Sequence, residues 1–163
     1  MAEAVVIQDG AGNAVGTTAS PLVINSNQRV VSKLLTFTGG TPDTLGDHDS
    51  TVTDPYTIFT VTGKVLARVF GICGVALVGT GATMEVGVTS DTAAIIPQLA
   101  DAEDIDAGEI WQDATPTHLS EAVPSQLIVQ GNVILTLGTA NITSGTLTMY
   151  CIWEPLTSGA TVV

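Results

Sequence analysis

The sequence predicts an all-β protein: an antiparallel β-sandwich of about ten short strands, with jelly-roll or Greek-key-like connections and an extended N-terminal arm. Two observations predict this fold class. Short runs of Val, Ile, Leu, Thr and aromatic residues recur along the chain, and Gly, Asn, Asp, Ser and Pro separate them, which is the pattern of strands joined by turns. No segment needs a helix of ordinary length to account for its hydrophobic spacing.

The beginning of the chain predicts the arm. Repeated glycines interrupt a short apolar start, so residues 1–20 have little to pack in isolation. The sandwich is predicted at 21–157, because a chain of 163 residues fits one domain, and 158–163 are predicted to form a flexible tail.

Seven segments have the composition of strands. They are 21–25, 29–38, 56–62, 64–77, 93–98, 109–112 and 126–130. The turn pairs Thr62–Gly63 and Gly131–Asn132 are short enough to predict tight hairpins. The long apolar run from 65 to 78 contains Gly71 and Gly74, which predicts a kink or β-bulge there and a strand that crosses from one sheet to the other.

Three further segments show a clear alternation of side chains, which places their apolar residues on one face of a strand. In the last strand, from 145 to 153, that face consists of Leu147, Met149, Cys151 and Trp153. In the other two it consists of Val133, Leu135 and Leu137, and of Met84, Val86 and Val88. These sets predict the shared core of the two sheets.

Composition and charge exclude several classes of partner. The chain has 4 Lys and Arg against 16 Asp and Glu, a net charge of −12, which works against binding nucleic acid because phosphate contacts come mainly from Lys and Arg. The N-terminus lacks the pattern of a signal peptide, and no run approaches the roughly 20 apolar residues of a membrane span. We therefore expect no membrane partner, synthesis in a cytoplasm, and buried free thiols at Cys73 and Cys151.

Two acidic segments are candidates for binding a metal ion. Asp101, Glu103, Asp104 and Asp106 invite a calcium interpretation, but their spacing does not match a calcium loop, and a solvated acidic loop is favoured. The polar loop 39–54 contains four aspartates and His48, which is interpreted as an exposed histidine. His118 lies far from it in sequence, so a two-histidine site would depend on the fold.

The sequence contains no recognisable catalytic motif. There is no Gly-x-Ser-x-Gly elbow, no phosphate-binding loop and no dinucleotide fingerprint, so we expect neither an enzyme nor a cofactor. Aromatic residues make up only 4% of the chain, which disfavours a carbohydrate-binding surface. Trp111 follows the acidic loop on a short segment, and it is interpreted as a core residue, with an interface anchor as the alternative.

Three segments resemble parts of bacteriophage proteins. Residues 7–24, IQDGAGNAVGTTASPLVI, are similar to the start of small structural proteins of tailed bacteriophages. Residues 108–116, GEIWQDATP, and 151–156, CIWEPL, are also similar to segments of phage proteins. Within this family the chain most resembles head decoration, or cement, proteins.

The resemblance implies a non-catalytic role on the capsid exterior, after synthesis in the host bacterial cytoplasm. Such proteins are commonly homotrimers that bridge neighbouring capsid subunits, so the expected partners are the major capsid protein or another virion protein and further copies of the chain. Residues 4–24, which comprise most of the arm and the first predicted strand, are expected to reach a neighbouring subunit or the shell. The residues expected at that interface are Val5, Val6, Ile7, Leu22, Val23 and Ile24. The alternatives are a neck, tail or fibre-associated protein, and a glycan or host-surface binding module.

Overall fold

A computed structural model describes residues 7–8, 14–16, 28–119 and 124–163. Within these residues the chain forms thirteen strands and one short 3-10 helix. The predicted all-β fold class is therefore confirmed. In chain order the elements are β1 (Ile7–Gln8), β2 (Ala14–Gly16), β3 (Arg29–Thr36), β4 (Tyr56–Phe59), β5 (Val61–Thr62), β6 (Val65–Val78), β7 (Thr83–Val88), β8 (Asp91–Leu99), the 3-10 helix (Ala102–Asp104), β9 (Ile110–Trp111), β10 (Leu127–Val129), β11 (Val133–Gly138), β12 (Ser144–Pro155) and β13 (Thr161–Val162).

Two antiparallel sheets form the sandwich. The five-stranded sheet has the order β10, β6, β12, β3, with β9 also paired to β6. The four-stranded sheet has the order β4, β11, β7, β8, and two-stranded ladders join β1 to β2 and β5 to β13. The chain passes between the two large sheets at β3–β4, β6–β7, β8–β9, β10–β11 and β11–β12, and from β4 through β5 to β6. Jelly-roll and Greek-key sandwiches have crossings of this kind.

The core lies between these sheets, on the faces that the alternation predicted. Leu147, Met149, Cys151 and Trp153 of β12 are buried, as are Val133, Leu135 and Leu137 of β11. On β7, Met84 and Val86 are fully buried, while Val88 packs against the core from its edge. Each fully buried large apolar side chain contributes about 1.5 to 3 kcal/mol relative to an exposed one, so the matching inner faces account for the stability of the fold.

The long strand β6 contains the predicted bulge. Leu147 of β12 lies opposite Cys73, and Thr146 lies opposite Val75, so Gly74 is an extra residue without a partner in the ladder. The prediction that this strand crosses between sheets is wrong, because β6 pairs with β12 from one end to the other. The bulge lets the strand bend while it remains in the five-stranded sheet.

The two predicted tight hairpins do not form. The segments on either side of Thr62–Gly63 belong to different ladders, since β5 pairs with β13 and β6 pairs with β12 and β10. The same holds at Gly131–Asn132, where β10 joins one large sheet and β11 the other. Gly63 and Gly131 have φ values of 72° and 112°, so these glycines do turn the chain. After each turn the following strand joins a different sheet from the strand before it.

The structure describes the beginning of the chain only in part, whereas it describes the last forty residues throughout. Of the predicted arm, residues 7–8 and 14–16 pair as an antiparallel ladder, and the strand predicted at 21–25 lies outside the described residues. The predicted flexible tail at 158–163 instead closes the domain. β13 pairs with β5, and Ala160 and Val162 are buried, because two small apolar side chains suffice to hold this end against the core.

The polar loop 39–54 is folded tightly against the connection between β11 and β12. The backbone N–H of Gly39 donates to the carbonyl of Ile142 at 3.0 Å, and the N–H of Ile142 donates to the carbonyl of Gly46 at 2.8 Å. Gly46 has φ of 108°, and a Cβ there would overlap the carbonyl oxygen of Ile142. Only glycine allows the two backbones to approach this closely.

Candidate interaction surface

The outward side of the five-stranded sheet carries the most distinctive surface of the molecule. We define the outer face as the even-numbered residues of β3, β10 and β12, and of β6 as far as Ile72. Because side chains alternate along a strand, these residues point away from the core. The strand register sets them in rows: Val30, Ile152 and Arg68 in one, Ser32, Tyr150 and Phe70 in the next, and Leu34, Thr148 and Ile72 in a third.

Large apolar side chains on this face are open to solvent. Val30 is 64% exposed and Leu34 62%, both on the edge strand β3, and Ile128 at the opposite side of the sheet is 71% exposed. Single exposed apolar residues are normal on a protein surface, but several on one face of a sheet are typical of an interaction site. Exposed apolar residues of this kind are typical of a surface that another molecule covers.

Two aromatic rings stiffen the middle of the outer face. Phe70 and Tyr150 are cross-strand neighbours, and their rings stack with centroids 5.3 Å apart and planes inclined by 15°. Both side chains are partly buried by their neighbours. A stacked pair of this kind is fixed in place before any partner arrives, so little side-chain entropy is lost on binding.

The outer face carries almost no charge on a strongly acidic chain. Arg68 and Glu154 are the only charged members of the set, and one cancels the other, whereas the whole chain has a net charge of −12. Most of the remaining carboxylates of the described residues belong to the loops 39–54 and 101–113. Depletion of charge at the centre of an apolar patch is typical of protein interfaces.

The edges of the two sheets carry features that oppose the addition of a further strand. Lys33 of the edge strand β3 points inward, where its Nζ donates to the carbonyl of Thr57 at 2.9 Å and lies 4.6 Å from the centre of the Tyr56 ring. Edge strand β8 contains Pro97 and two register shifts. Inward charges, prolines and bulges protect edges from pairing, so edge strands β3 and β8 are poor sites for the addition of a further strand.

The predicted calcium candidates are engaged in anchoring their own loop. The Asp101 carboxylate accepts hydrogen bonds from the N–H groups of Gly81 at 3.0 Å and Glu103 at 3.1 Å. Glu103 in turn accepts from the N–H of Gly79 at 3.2 Å. Asp104 and Asp106 are exposed, and among the described residues no group of three or more His, Cys, Asp or Glu could hold a metal ion. The carboxylates thus fasten the loop to the β6–β7 turn.

The histidines lie on separate loops. The backbone N–H of His48 donates to Asn141 Oδ1 at 3.0 Å, and its ring contacts the same oxygen, so the side chain is only 25% exposed. The interpretation of His48 as simply exposed is therefore wrong: the side chain helps to hold the loop 39–54 against the β11–β12 connection. His118 lies 3.6 Å from a Glu109 carboxylate oxygen on the other acidic loop.

The aspartate nearest the end of the loop 39–54 is also structural. Asp54 Oδ1 accepts the backbone N–H of Leu137 at 2.9 Å. Burial raises the pKa of the Asp54 carboxyl above its ordinary value, although the Leu137 hydrogen bond acts in the opposite direction. The group is thus tied to the backbone of β11.

Trp111 belongs to the core. Its side chain has no exposed area, and β9 holds it beside Gly71 of β6. The core interpretation is confirmed, and the interface role for Trp111 is corrected, because a partner has no access to the ring. Its Nε1 is buried without a hydrogen-bond partner. The other predicted interface residues are not covered: Val5, Val6, Leu22, Val23 and Ile24 lie outside the described residues, and for Ile7 only the backbone is described.

Both cysteines are free and buried, as the sequence predicted. Burial raises the pKa of the Cys151 thiol to about 12. Burial also raises the pKa of Cys73, with Glu109 and Asp106 adding to the effect. Since the thiolate is the reactive form, burial and a raised pKa disfavour reaction of either thiol, and both cysteines pack as small core side chains.

Sequence reasoning missed the outer face because β3 is apolar on both sides. Val30 and Val31 are adjacent, as are Leu34 and Leu35, so the alternation does not separate an inner face from an outer one. The sequence does show that the even positions of β6 and β12 carry few charges. This scarcity predicts an uncharged face only when the register is known, because the register places these strands side by side.

Comparison with protein-family models, with curated proteins and with solved structures finds no match to this chain. No helix in the described ranges is long and apolar enough to cross a membrane.

Proposed function

We propose that this protein is a non-catalytic structural protein that binds other protein subunits through the outer face of its five-stranded sheet. The single observation that carries the proposal is the almost uncharged face across β3, β12, β6 and β10, on which Val30, Leu34, Ile72 and Ile128 are exposed. Covering such a surface removes apolar area from water, which is the main favourable term in protein association.

The chemistry of the loops supports a role in binding rather than in turnover. The carboxylates of Asp54, Asp101 and Glu103 accept backbone hydrogen bonds, and His48 is held by Asn141. Groups committed to the backbone in this way stabilise loops. On the outer face, the Phe70 and Tyr150 rings stack on each other, which suits packing against apolar protein side chains better than stacking against a sugar.

The proposed setting is the virion of a tailed bacteriophage, where the protein would decorate the capsid exterior and stabilise the shell by linking subunits. Support for this setting comes from the resemblance of residues 7–24 to the start of small phage structural proteins, and of residues 108–116 and 151–156 to segments of phage proteins. A repeating shell also suits a small interface, since many simultaneous contacts raise the overall affinity far above that of one contact.

The experiment titrates purified protein onto phage particles produced without it, and measures the bound fraction after sedimentation. Val30→Asp and Leu34→Asp place a charge on the outer face, and we expect each to weaken binding by at least about tenfold, because a buried unpaired carboxylate is costly. Val52→Asp and Leu119→Asp are matched controls, since these residues are the same types, 73% exposed, and lie on loops outside the outer face.

The controls should bind as the unmodified protein does. Circular dichroism on all four variants establishes that each is folded. Equal binding by the face variants and the loop variants would contradict the proposal, whichever level of binding they shared.

A further inference from the structure

We propose that the partner of the outer face is the outer face of a second copy of this chain, related to the first by a two-fold axis. The inference rests on the proposed function, because it requires this face to be a protein interface. To the proposed function, this inference adds which molecule covers the outer face and how the two faces are aligned.

Electrostatics restricts how two copies can meet. Each chain has a net charge of −12, so two copies repel each other over most of their surfaces. The outer face is an area from which carboxylates are nearly absent, with Glu154 alone among the 13 Asp and Glu residues that the structure describes. Of the residues in the outer face, Glu154 alone brings a negative charge into such a contact.

The two charges on the face make it self-complementary. Arg68 lies opposite Ile152 and Glu154 lies opposite Leu66, so the two charged residues are diagonal neighbours on adjacent strands. Neither forms an ion pair with a described residue. A two-fold axis in the interface between them sets Arg68 of each copy against Glu154 of the other. The dimer thereby contains two Arg68–Glu154 ion pairs, one on each side of the axis. These two pairs fix the alignment of the copies.

The size of the face is sufficient for a concentration-dependent dimer. Strands lie about 4.8 Å apart and rise about 3.3 Å per residue, so four strands that average roughly seven residues cover on the order of 450 Å² per copy. Two copies together bury on the order of 900 Å², close to the roughly 1,000 Å² of the smallest specific interfaces. An interface of this size suits a weak association that a repeating assembly would strengthen.

The symmetry follows from the use of one patch. An interface in which the same surface occurs on both sides is isologous and closes with two copies, whereas a trimer needs two different patches on each copy. The dimer thus differs from the trimer that the phage resemblance implies, and the mass of the particle in solution distinguishes the two.

The test is size-exclusion chromatography with light scattering on the full chain over a series of concentrations. The unmodified protein should approach twice the chain mass of 16.6 kDa as concentration rises. Arg68→Glu sets two glutamates against each other, and Glu154→Arg sets two arginines against each other, so each should raise the dissociation constant at least about tenfold. The double variant carries the reversed pair and should return to within about threefold of the unmodified protein.

Rescue by the double variant is specific to pairing between copies of one chain. Thermal unfolding at low concentration, where the monomer dominates, shows whether either single variant affects the fold. A protein that stays monomeric at high concentration, a mass of three copies, or a double variant that remains as weak as the single variants would overturn the inference.

The outcomes also separate this inference from the proposed function. If the protein is monomeric but Val30→Asp still fails to bind particles while Val52→Asp binds, the face is an interface for a different protein, and only the two-fold pairing is lost. If charge on the face alters neither self-association nor particle binding, both proposals fail.

Discussion

Replacing Trp111 with alanine is expected to lower the free energy of unfolding by about 4 kcal/mol. The ring is fully buried, and β9, which carries it, pairs with β6 through only two residues. Removing the ring leaves a cavity that the surrounding strands fill only in part, because sheet residues cannot move without breaking their ladders. Denaturant unfolding measures the loss, with Trp153 remaining as a fluorescence probe.

Trp111→Phe is the matched control. Phenylalanine keeps most of the apolar surface and removes an indole N–H that is buried without a hydrogen-bond partner, so we expect a loss of about 1 to 2 kcal/mol. If Trp111→Ala were as stable as the unmodified protein but bound particles poorly, Trp111 would be an interface residue after all, and the described burial would be contradicted.

Gly46→Ala is expected to cost at least about 3 kcal/mol. The φ of 108° strains any residue with a Cβ, and that Cβ would also overlap the carbonyl oxygen of Ile142, where the loop 39–54 meets the β11–β12 connection. The hydrogen bonds that Ile142 makes with Gly39 and Gly46 would then lengthen or break. Urea unfolding at neutral pH measures the effect.

Gly131→Ala separates the steric overlap from the backbone strain. Gly131 has a φ of 112°, nearly that of Gly46, but a Cβ there meets no atom within 4 Å. We expect it to cost about 1 kcal/mol, from the left-handed conformation alone. Similar losses for the two variants would mean that the loop can move away from Ile142, and that its close approach is not required for the fold.

The inner faces of the sandwich were predictable from the sequence because they depend on local alternation. The apolar sets that end at Trp153, at Leu137 and at Val88 each lie on one side of a strand, and side-chain direction in a strand follows directly from position. The bulge at Gly74 was predictable for a similar reason, since glycines within a long strand mark the place where it bends.

The pairing of strands was not predictable in the same way. The Thr62–Gly63 turn looks like a hairpin, yet β5 pairs with β13, which lies near the far end of the chain. Turn chemistry sets how the backbone reverses, while the partner of each strand depends on which apolar faces must meet across the core. The same limit concealed the outer face, which exists only once β3 and β6 flank β12.

The acidic loop illustrates a third kind of limit. Its charge was visible in the sequence, and its failure to match a calcium loop was visible from spacing. The sequence did not reveal that the carboxylates of Asp101 and Glu103 accept hydrogen bonds from the backbone of Gly81 and Gly79. These contacts join segments about twenty residues apart, which only the fold brings together.

The central claim is that protein covers the outer face in the assembled state, and a single introduced thiol tests it most directly. Both native cysteines are buried, so Val30→Cys provides one reactive thiol on the face, and Val52→Cys provides a matched thiol outside it. Maleimide labelling is compared between the dissociated chain and the assembled particle under reducing conditions. The account predicts that Cys at position 30 reacts at least about tenfold more slowly in the particle while the thiol at position 52 is unaffected. Equal reactivity at position 30 in both states would contradict it.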